Sequence, residues 1–388
     1  MNCEITTAPL VTIGRAPRAG RIDPPVATDD AVERELRAGA AVAIGVSGGK
    51  DSCALAFATV AHLDAIGHTG PRVLIHADLG RVEWRQSLPV CERLAALLGL
   101  ELIVVRRAAG DMMDRWLGRW KNNVARYADL SCVKVILPWS TPSMRFCTSE
   151  LKTAPICSAL VRRFPGQTIV SACGIRRAES NSRTSGRAIA PIAKVQKKLA
   201  SKTHRTTGLD WHPIIEWEHA DVFASLEARG FALHEAYTRY GMTRVSCRFC
   251  IMSSDPDRRA AAAAPESADL YREMVDLEIT STFAFQGNAW LGDVAPHLLT
   301  DEQRAGLAQS KAVAKFREDA EATIPKHLLY TAGWPEAMPT REEAEHLCTV
   351  RRVVGAMLGI AVSCTEPDEL LARYAELMAA KAAKDGAS

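Results

Sequence analysis

The chain has 388 residues, of which 47% are hydrophobic and 24% charged, an ordinary globular make-up that excludes collagen-like, coiled-coil and wholly disordered readings. Its length favours two domains over one. Lys and Arg number 48 against 45 Asp and Glu, and the resulting net charge of +3 is too small to announce a nucleic-acid binder, so any basic surface has to be local.

Residues 1 to 30 are rich in Pro, Gly, Arg and Thr with no apolar period and are expected to form a flexible N-terminal arm. No charged leader followed by an apolar stretch opens the chain, and no later run approaches about eighteen apolar residues, so the expectation is a cytoplasmic protein without a membrane segment. Next come a strand over 40–46 (AAVAIGV), a helix over 51–66, a strand over 72–77 (RVLIHA), a helix over 87–99 and a strand over 101–107 (ELIVVRR). This alternation predicts a parallel sheet with right-handed crossovers. A helix from near Thr148 leads to a fourth strand over 167–175, and APIA and WHPIIEW suggest further extended pieces before a helix at 219–229. Beyond residue 260 the sequence is Ala-rich and helical, interrupted by prolines. The expected fold is α/β: a Rossmann-like parallel sheet of about five strands with helices on both faces, plus a helical C-terminal extension. The expected division is a flexible arm over 1–30, the α/β domain over 31–258 and the helical region over 259–388.

The first strand ends in Ser47-Gly48-Gly49-Lys50-Asp51-Ser52 and runs directly into a helix. Glycines permit a tight turn whose amides point at an anion, and the helix N-terminus adds positive potential, so phosphate is the expected guest. Three residues separate Gly45 from Gly49 and Asp51 follows Lys50, which fits neither a Walker A loop nor GxGxxG. The bland alternative is a Gly-rich turn in which Asp51 or Ser52 merely caps the helix.

SGGKDS resembles the pyrophosphate loop of the adenine nucleotide alpha hydrolases (PP-loop, HUP-type fold), which cleave ATP between its α and β phosphates. The resemblance implies that Ser47, the amides of Gly48 to Ser52 and the Lys50 side chain hold the departing pyrophosphate, with Mg²⁺ present and Asp51 a direct or water-mediated ligand. HADLGRVEW, RFCTSELKTAPI, GIRRAESNSR, WHPIIEW and SCRFC, in that order, are similar to landmarks of the phosphoadenosine phosphosulfate (PAPS) reductase-like branch. By that likeness Asp78, at the end of the second strand, and Gly174 are candidate nucleotide contacts. Arg176, Arg177 and Arg183 are candidate clamps for the triphosphate or for a second anion, since guanidinium forks suit phosphate oxygens. For Asp78 the alternative is a helix cap, and for the arginines a solvated loop.

The PAPS reductases usually carry a degenerate phosphate loop and a cysteine in the C-terminal tail. Here Lys50 and Asp51 are retained and the tail AAKAAKDGAS has none. The pattern looks instead like the ATP-using sulfurtransferase subunit of DNA phosphorothioation and, more distantly, the tRNA thiolases. Lys50, Asp51, Arg176 and Arg177 are then the candidate catalytic residues. Lys194, Lys197, Lys198, Lys202 and Arg205 form a run without acidic residues that suits a nucleic-acid backbone, DNA or tRNA, or is only an exposed loop.

The eleven cysteines show no regular disulfide spacing. Cys247 and Cys250 form a CxxC, and Cys147 lies a hundred residues earlier. In cluster-bearing relatives an adjacent pair and a CxxC ligate a 4Fe-4S cluster, but here Thr148 follows Cys147. Four readings stay open: a 4Fe-4S cluster with one open iron, a zinc site completed from outside, thiols that accept persulfide from a donor such as a cysteine desulfurase, or buried structural thiols. The functional expectation is ATP-dependent adenylylation of a substrate for sulfur transfer. The alternatives are reduction of PAPS or its unphosphorylated analogue to sulfite, or a nucleic-acid-binding accessory protein with structural zinc.

Overall fold

The structure is a computed structural model that describes residues 3–7, 23–179 and 191–386. The α/β part runs β1 (Cys3–Thr7), α1 (Asp30–Arg37), β2 (Ala41–Gly45), α2 (Lys50–Ala65), β3 (Arg72–Asp78), α3 (Ser87–Leu98) and β4 (Glu101–Arg107). After α4 (Met112–Ala128) come α5 (Ala154–Arg163), β5 (Thr168–Ala172), β6 (Ala193–Val195), β7 (Thr207–Trp211), α6 (His219–Glu227) and α7 (Asp255–Ala262). The remainder is helical: α8 (Ala268–Ser281), α9 (Asp301–Ala322), α10 (Arg341–Leu358) and α11 (Pro367–Gly386).

One sheet has the order β1-β4-β3-β2-β5-β7-β6. Its five inner strands are parallel, as expected, while β1 and β6 pair antiparallel to β4 and β7 at the two edges. Alternation along each strand supplies both faces: Val42, Ile44 and Leu74 pack with α1, α2, α3 and α6, whereas Ala41, Ala43 and Ile75 pack with α5. Strands buried on both faces read as continuous apolar runs, which is why AAVAIGV and RVLIHA stood out. From β2 the order proceeds to β3 on one side and β5 on the other, so the switch point lies at the carboxyl ends of β2 and β5, where a ligand crevice belongs.

Several expectations need correction. The arm is not wholly loose: Cys3–Thr7 is an edge strand, and residues 23–29 are tied down by the Asp23–Arg229 ion pair and by indole hydrogen bonds from Trp217 to the Pro25 carbonyl and from Trp211 to the Ala27 carbonyl. WHPIIEW is not extended beyond Trp211; the strand precedes it, and Ile214 and Trp217 turn inward to the core.

The chain divides into two compact units, Met1–Met112 with Pro142–Ala264, and Met113–Thr141 with Pro265–Ser388. The segment 113–141, sequence in the middle of the expected α/β domain, therefore belongs with the C-terminal helices. The cause is aromatic: Trp116 stacks edge-on to Trp139 at 5.3 Å, Trp139 to Phe285 at 5.1 Å, and Trp120 to Phe283 at 6.5 Å. Within that unit the buried Glu278 carboxylate of α8 accepts the amides of Phe285 and Leu291 at 2.7 Å and of Gly292 at 3.0 Å. Among the described residues no helix is long and apolar enough to cross a membrane.

Candidate functional site

The loop joining β2 to α2 is braced by Ser52. Its hydroxyl accepts from the Ser47 amide at 3.1 Å and the Ser47 hydroxyl at 3.3 Å and donates to the Gly49 carbonyl at 2.9 Å, which uses its full hydrogen-bonding capacity. Gly48 turns the backbone at φ +74°, and a Cβ there would stand 2.8 Å from the Ser87 carbonyl oxygen, so only glycine fits. The amides of Gly48, Gly49, Asp51 and Ser52 then meet no acceptor among the described residues. They sit at the positive end of a 16-residue helix, the arrangement that attracts phosphate.

Lys50 is 4% exposed, and its ammonium lies 3.0 Å from Asp51 Oδ2 and 3.4 Å from the Thr243 carbonyl oxygen. The other Asp51 oxygen accepts Arg176 Nε at 2.7 Å, and the buried Arg176 also donates to the Trp217 carbonyl at 3.3 Å. Lys50, Asp51 and Arg176 thus form a row of alternating charge, the condition under which such groups tolerate burial. Gly174 lets the end of β5 close on α2: a Cβ there would be 3.3 Å from the Asp51 carbonyl oxygen.

A cavity of about 370 Å³ opens at the carboxyl ends of β2, β3 and β5, lined by Ser47, Gly49, Asp51, Ser52 and Gly174 of the expected set. Arg145, Lys152 and Arg244 also line it, and their side chains make no hydrogen bond or ion pair with a described residue. Three cations with unspent donors around one crevice suit a polyanionic guest.

Other expected contacts lie elsewhere: Gly48 and Lys50 do not line the cavity, Lys50 being buried behind the loop against Asp51 and Thr243. Asp78 does not line the cavity; it accepts the Gly80 amide at 2.7 Å and pairs with Arg106, because the turn after β3 needs that carboxylate. Arg177 faces Glu216, with Nε 2.8 Å from Oε1, and is likewise absent from the lining. Arg176 reaches Asp51 and not the cavity, so it buttresses the loop where a phosphate clamp was expected. Arg183 lies outside the described residues. None of Lys194, Lys197, Lys198, Lys202 and Arg205 lines this cavity.

Two groups escaped sequence reading. His76, 1% exposed, contacts the Val46 carbonyl with Nδ1 at 3.0 Å and the Glu83 carboxylate with Nε2 at 3.2 Å, and Glu83 lines the cavity. Burial alone would lower its pKa, but the contacts with Cys91 and Glu83 outweigh it and raise the imidazole well above its usual value. Both residues stand in HADLGRVEW, where only the pattern around Asp78 drew attention. Tyr237, whose hydroxyl accepts the Lys50 amide at 3.2 Å, carried no signal at all, since its partner is 187 residues away.

Cys147, Cys247 and Cys250 are near enough to one another to raise the Cys247 pKa jointly; desolvation is the largest cause, Lys152 opposes it, and the thiol is pushed up to about 12. The Met252 amide donates to Cys250 Sγ at 3.4 Å. Yet among the described residues no three His, Cys, Asp or Glu side chains are gathered to hold a metal ion. Thr148, next to Cys147, supplies no further thiol. The thiols as placed therefore do not fit a 4Fe-4S or zinc centre. Nor do both engaged oxygens of Asp51 fit a resident magnesium ligand. Cys53, Cys91 and Cys157 are buried, and burial raises the Cys53 and Cys157 thiols, Cys157 to about 12. Cys173 is only partly buried and lines the cavity.

The family model for the phosphoadenosine phosphosulfate reductase domain matches residues 41–253. Among solved structures the chain is similar to a phosphoadenylyl-sulfate (PAPS) reductase from Candida auris in complex with phosphate, at 14% identity and a TM-score of 0.34, covering 56% of this chain and 85% of that one. No curated protein matches the chain.

Proposed function

The chain belongs to the phosphoadenosine phosphosulfate reductase domain family, and from that footing we propose that it cleaves ATP at the α-phosphorus, adenylylating an oxygen of an acceptor substrate for sulfur transfer. The observation that carries this is the loop between β2 and α2: amides at Gly48, Gly49, Asp51 and Ser52 that meet no acceptor among the described residues, with the buried Lys50 ammonium held beside them by Asp51.

In this scheme the β and γ phosphates lie on the loop amides, so that pyrophosphate leaves into a site already complementary to it. Arg145, Lys152 and Arg244 neutralise charge around the α-phosphorus, the position where it builds as the acceptor oxygen attacks. Arg176 acts through Asp51, keeping the carboxylate turned toward Lys50. Magnesium enters with the nucleotide as part of the substrate. The activated acceptor, DNA or tRNA by the exposed basic run at Lys194 to Arg205, is then attacked by the outer sulfur of a persulfide on one thiol of the Cys147, Cys247 and Cys250 group, charged by a donor such as a cysteine desulfurase; a second thiol of the group resolves the mixed disulfide so formed, and an external dithiol reductant reopens the resulting cysteine disulfide. AMP is the second leaving group.

A second reading, reduction of a sulfonucleotide to sulfite, has the family match in its favour. One assay separates them. Under anoxic conditions the first scheme expects pyrophosphate from ATP in the presence of acceptor, abolished by Lys50→Ala with the reactivity of the cysteine thiols unchanged. Sulfite from PAPS without ATP consumption would replace it with the second.

A further inference from the structure

Resting on the phosphate-loop assignment above, we propose that Tyr237 is a ligand-binding residue that links the pyrophosphate to the thiol segment, its hydroxyl donating to a bound phosphate oxygen while joining the loop to the chain that leads to Cys247. The phenol oxygen accepts two backbone amides, Lys50 N and Val245 N, each at 3.2 Å. A hydroxyl has two lone pairs and one hydrogen, so its accepting capacity is full and only donation remains. No described residue takes that hydrogen. Tyr237 is not among the residues lining the cavity, but its hydroxyl lies 3.6 Å from where a Cβ on Gly49 would stand, beside the loop amides on which a phosphate oxygen would sit. Burial raises the phenol well above its usual pKa, so it remains a donor.

The surroundings make Tyr237 a strut. The Lys50 ammonium lies 5.4 Å from its ring centroid. Thr243, whose carbonyl receives Lys50, is fixed by Asp257 of α7, which accepts the Thr243 amide at 2.8 Å and its hydroxyl at 2.9 Å. The Val245 carbonyl oxygen would lie 3.4 Å from a Cβ on Gly49. Two residues past Val245 stands Cys247, and Arg248 is clamped to the turn after β3, its amide on the Val82 carbonyl at 2.8 Å and its guanidinium on the Arg81 carbonyl at 2.6 Å. The segment 243–248 is therefore gripped by the phosphate loop on one side and by the turn carrying Glu83 on the other.

The test uses the full chain, reduced and anoxic, with inorganic pyrophosphate and Mg²⁺ as the probe. Calorimetry should show wild type binding and Tyr237→Phe binding about tenfold to a hundredfold more weakly, the loss of one hydrogen bond to a charged group. Hydrogen exchange on wild type, which needs no variant to fold, should show pyrophosphate protecting peptides over 47–53 and over 243–250 together. Arg244 and Val245 line the cavity themselves, so the discriminating reading is the difference between the two proteins: Tyr237→Phe should lose part of the protection over 243–250 that wild type gains, and equal protection would leave Tyr237 a packing residue only. Equal affinity of the two proteins, or protection confined to 47–53, overturns the proposal while leaving the phosphate loop intact. Absence of any binding to wild type overturns the loop assignment, and this inference with it.

Discussion

His76 shows how a single residue ties sheet, loop and cavity together. Its two nitrogens face the Val46 carbonyl just past β2 and a carboxylate of the cavity wall, so both are best served as donors and the ring is best charged. Because the folded pKa is raised, the stability this pair contributes is fully present below the ordinary imidazole value of 6.5 and is lost as pH rises through the elevated value. We expect His76→Ala to cost about 3 kcal/mol at mildly acidic pH, the scale for breaking a largely buried pair. The deficit relative to wild type, read from denaturant midpoints, should shrink toward alkaline pH; a constant deficit would mean that the ring only fills space. Legibility at this scale was uneven. Lys50 and Gly48 were readable because the motif is local and each has a local physical duty. Asp78 and Arg177 misled, since a charged residue near a strand end pairs with whichever partner the fold brings, here Arg106 and Glu216.

Among elements, α2 and α8 use their ends in opposite ways. At the start of α2 the amides of Gly48, Gly49, Asp51 and Ser52 meet no acceptor among the described residues, and the last three residues line the cavity. At the end of α8 the Glu278 carboxylate closes three amides of the following loop. Glu278→Gln would replace one acceptor oxygen by an NH₂ group facing the Gly292 amide or its neighbours, leaving a buried donor unmet, at a cost of about 1–3 kcal/mol. Differential scanning calorimetry should detect the loss as a lower melting temperature, with the pyrophosphate binding proposed for the β2–α2 loop unchanged. An unchanged melting temperature would show the three amides to be satisfied otherwise. The elements themselves were largely foreseeable: the five parallel strands announce themselves as apolar runs. The two antiparallel edge strands did not, because Cys3–Thr7 and Ala193–Val195 are short and lack that pattern.

For the molecule as a whole, the discontinuous second unit has a practical consequence. A fragment ending at Ala264 would keep Met113–Thr141 while removing the Phe283 and Phe285 rings that cover Trp116, Trp120 and Trp139. Exposed indoles of that number form an adhesive patch. We expect the fragment 1–264 to aggregate and bind an apolar dye, and the same fragment with 113–141 replaced by a flexible polar linker to remain monomeric in gel filtration. Equal solubility of both would show that the segment is covered without the C-terminal helices.

The sequence by itself determined the glycine-rich turn from β2 into α2, the parallel core and the family, because each depends on short-range order: glycine conformation, strand alternation and the spacing of a few landmarks. The tertiary structure alone decided which charges face the cavity, that Arg176 serves Asp51, that Tyr237 reaches the loop from 187 residues away, and where 113–141 belongs. Those outcomes follow from long-range packing, in which a side chain's partner is set by the burial of other residues and leaves no mark in the residues beside it.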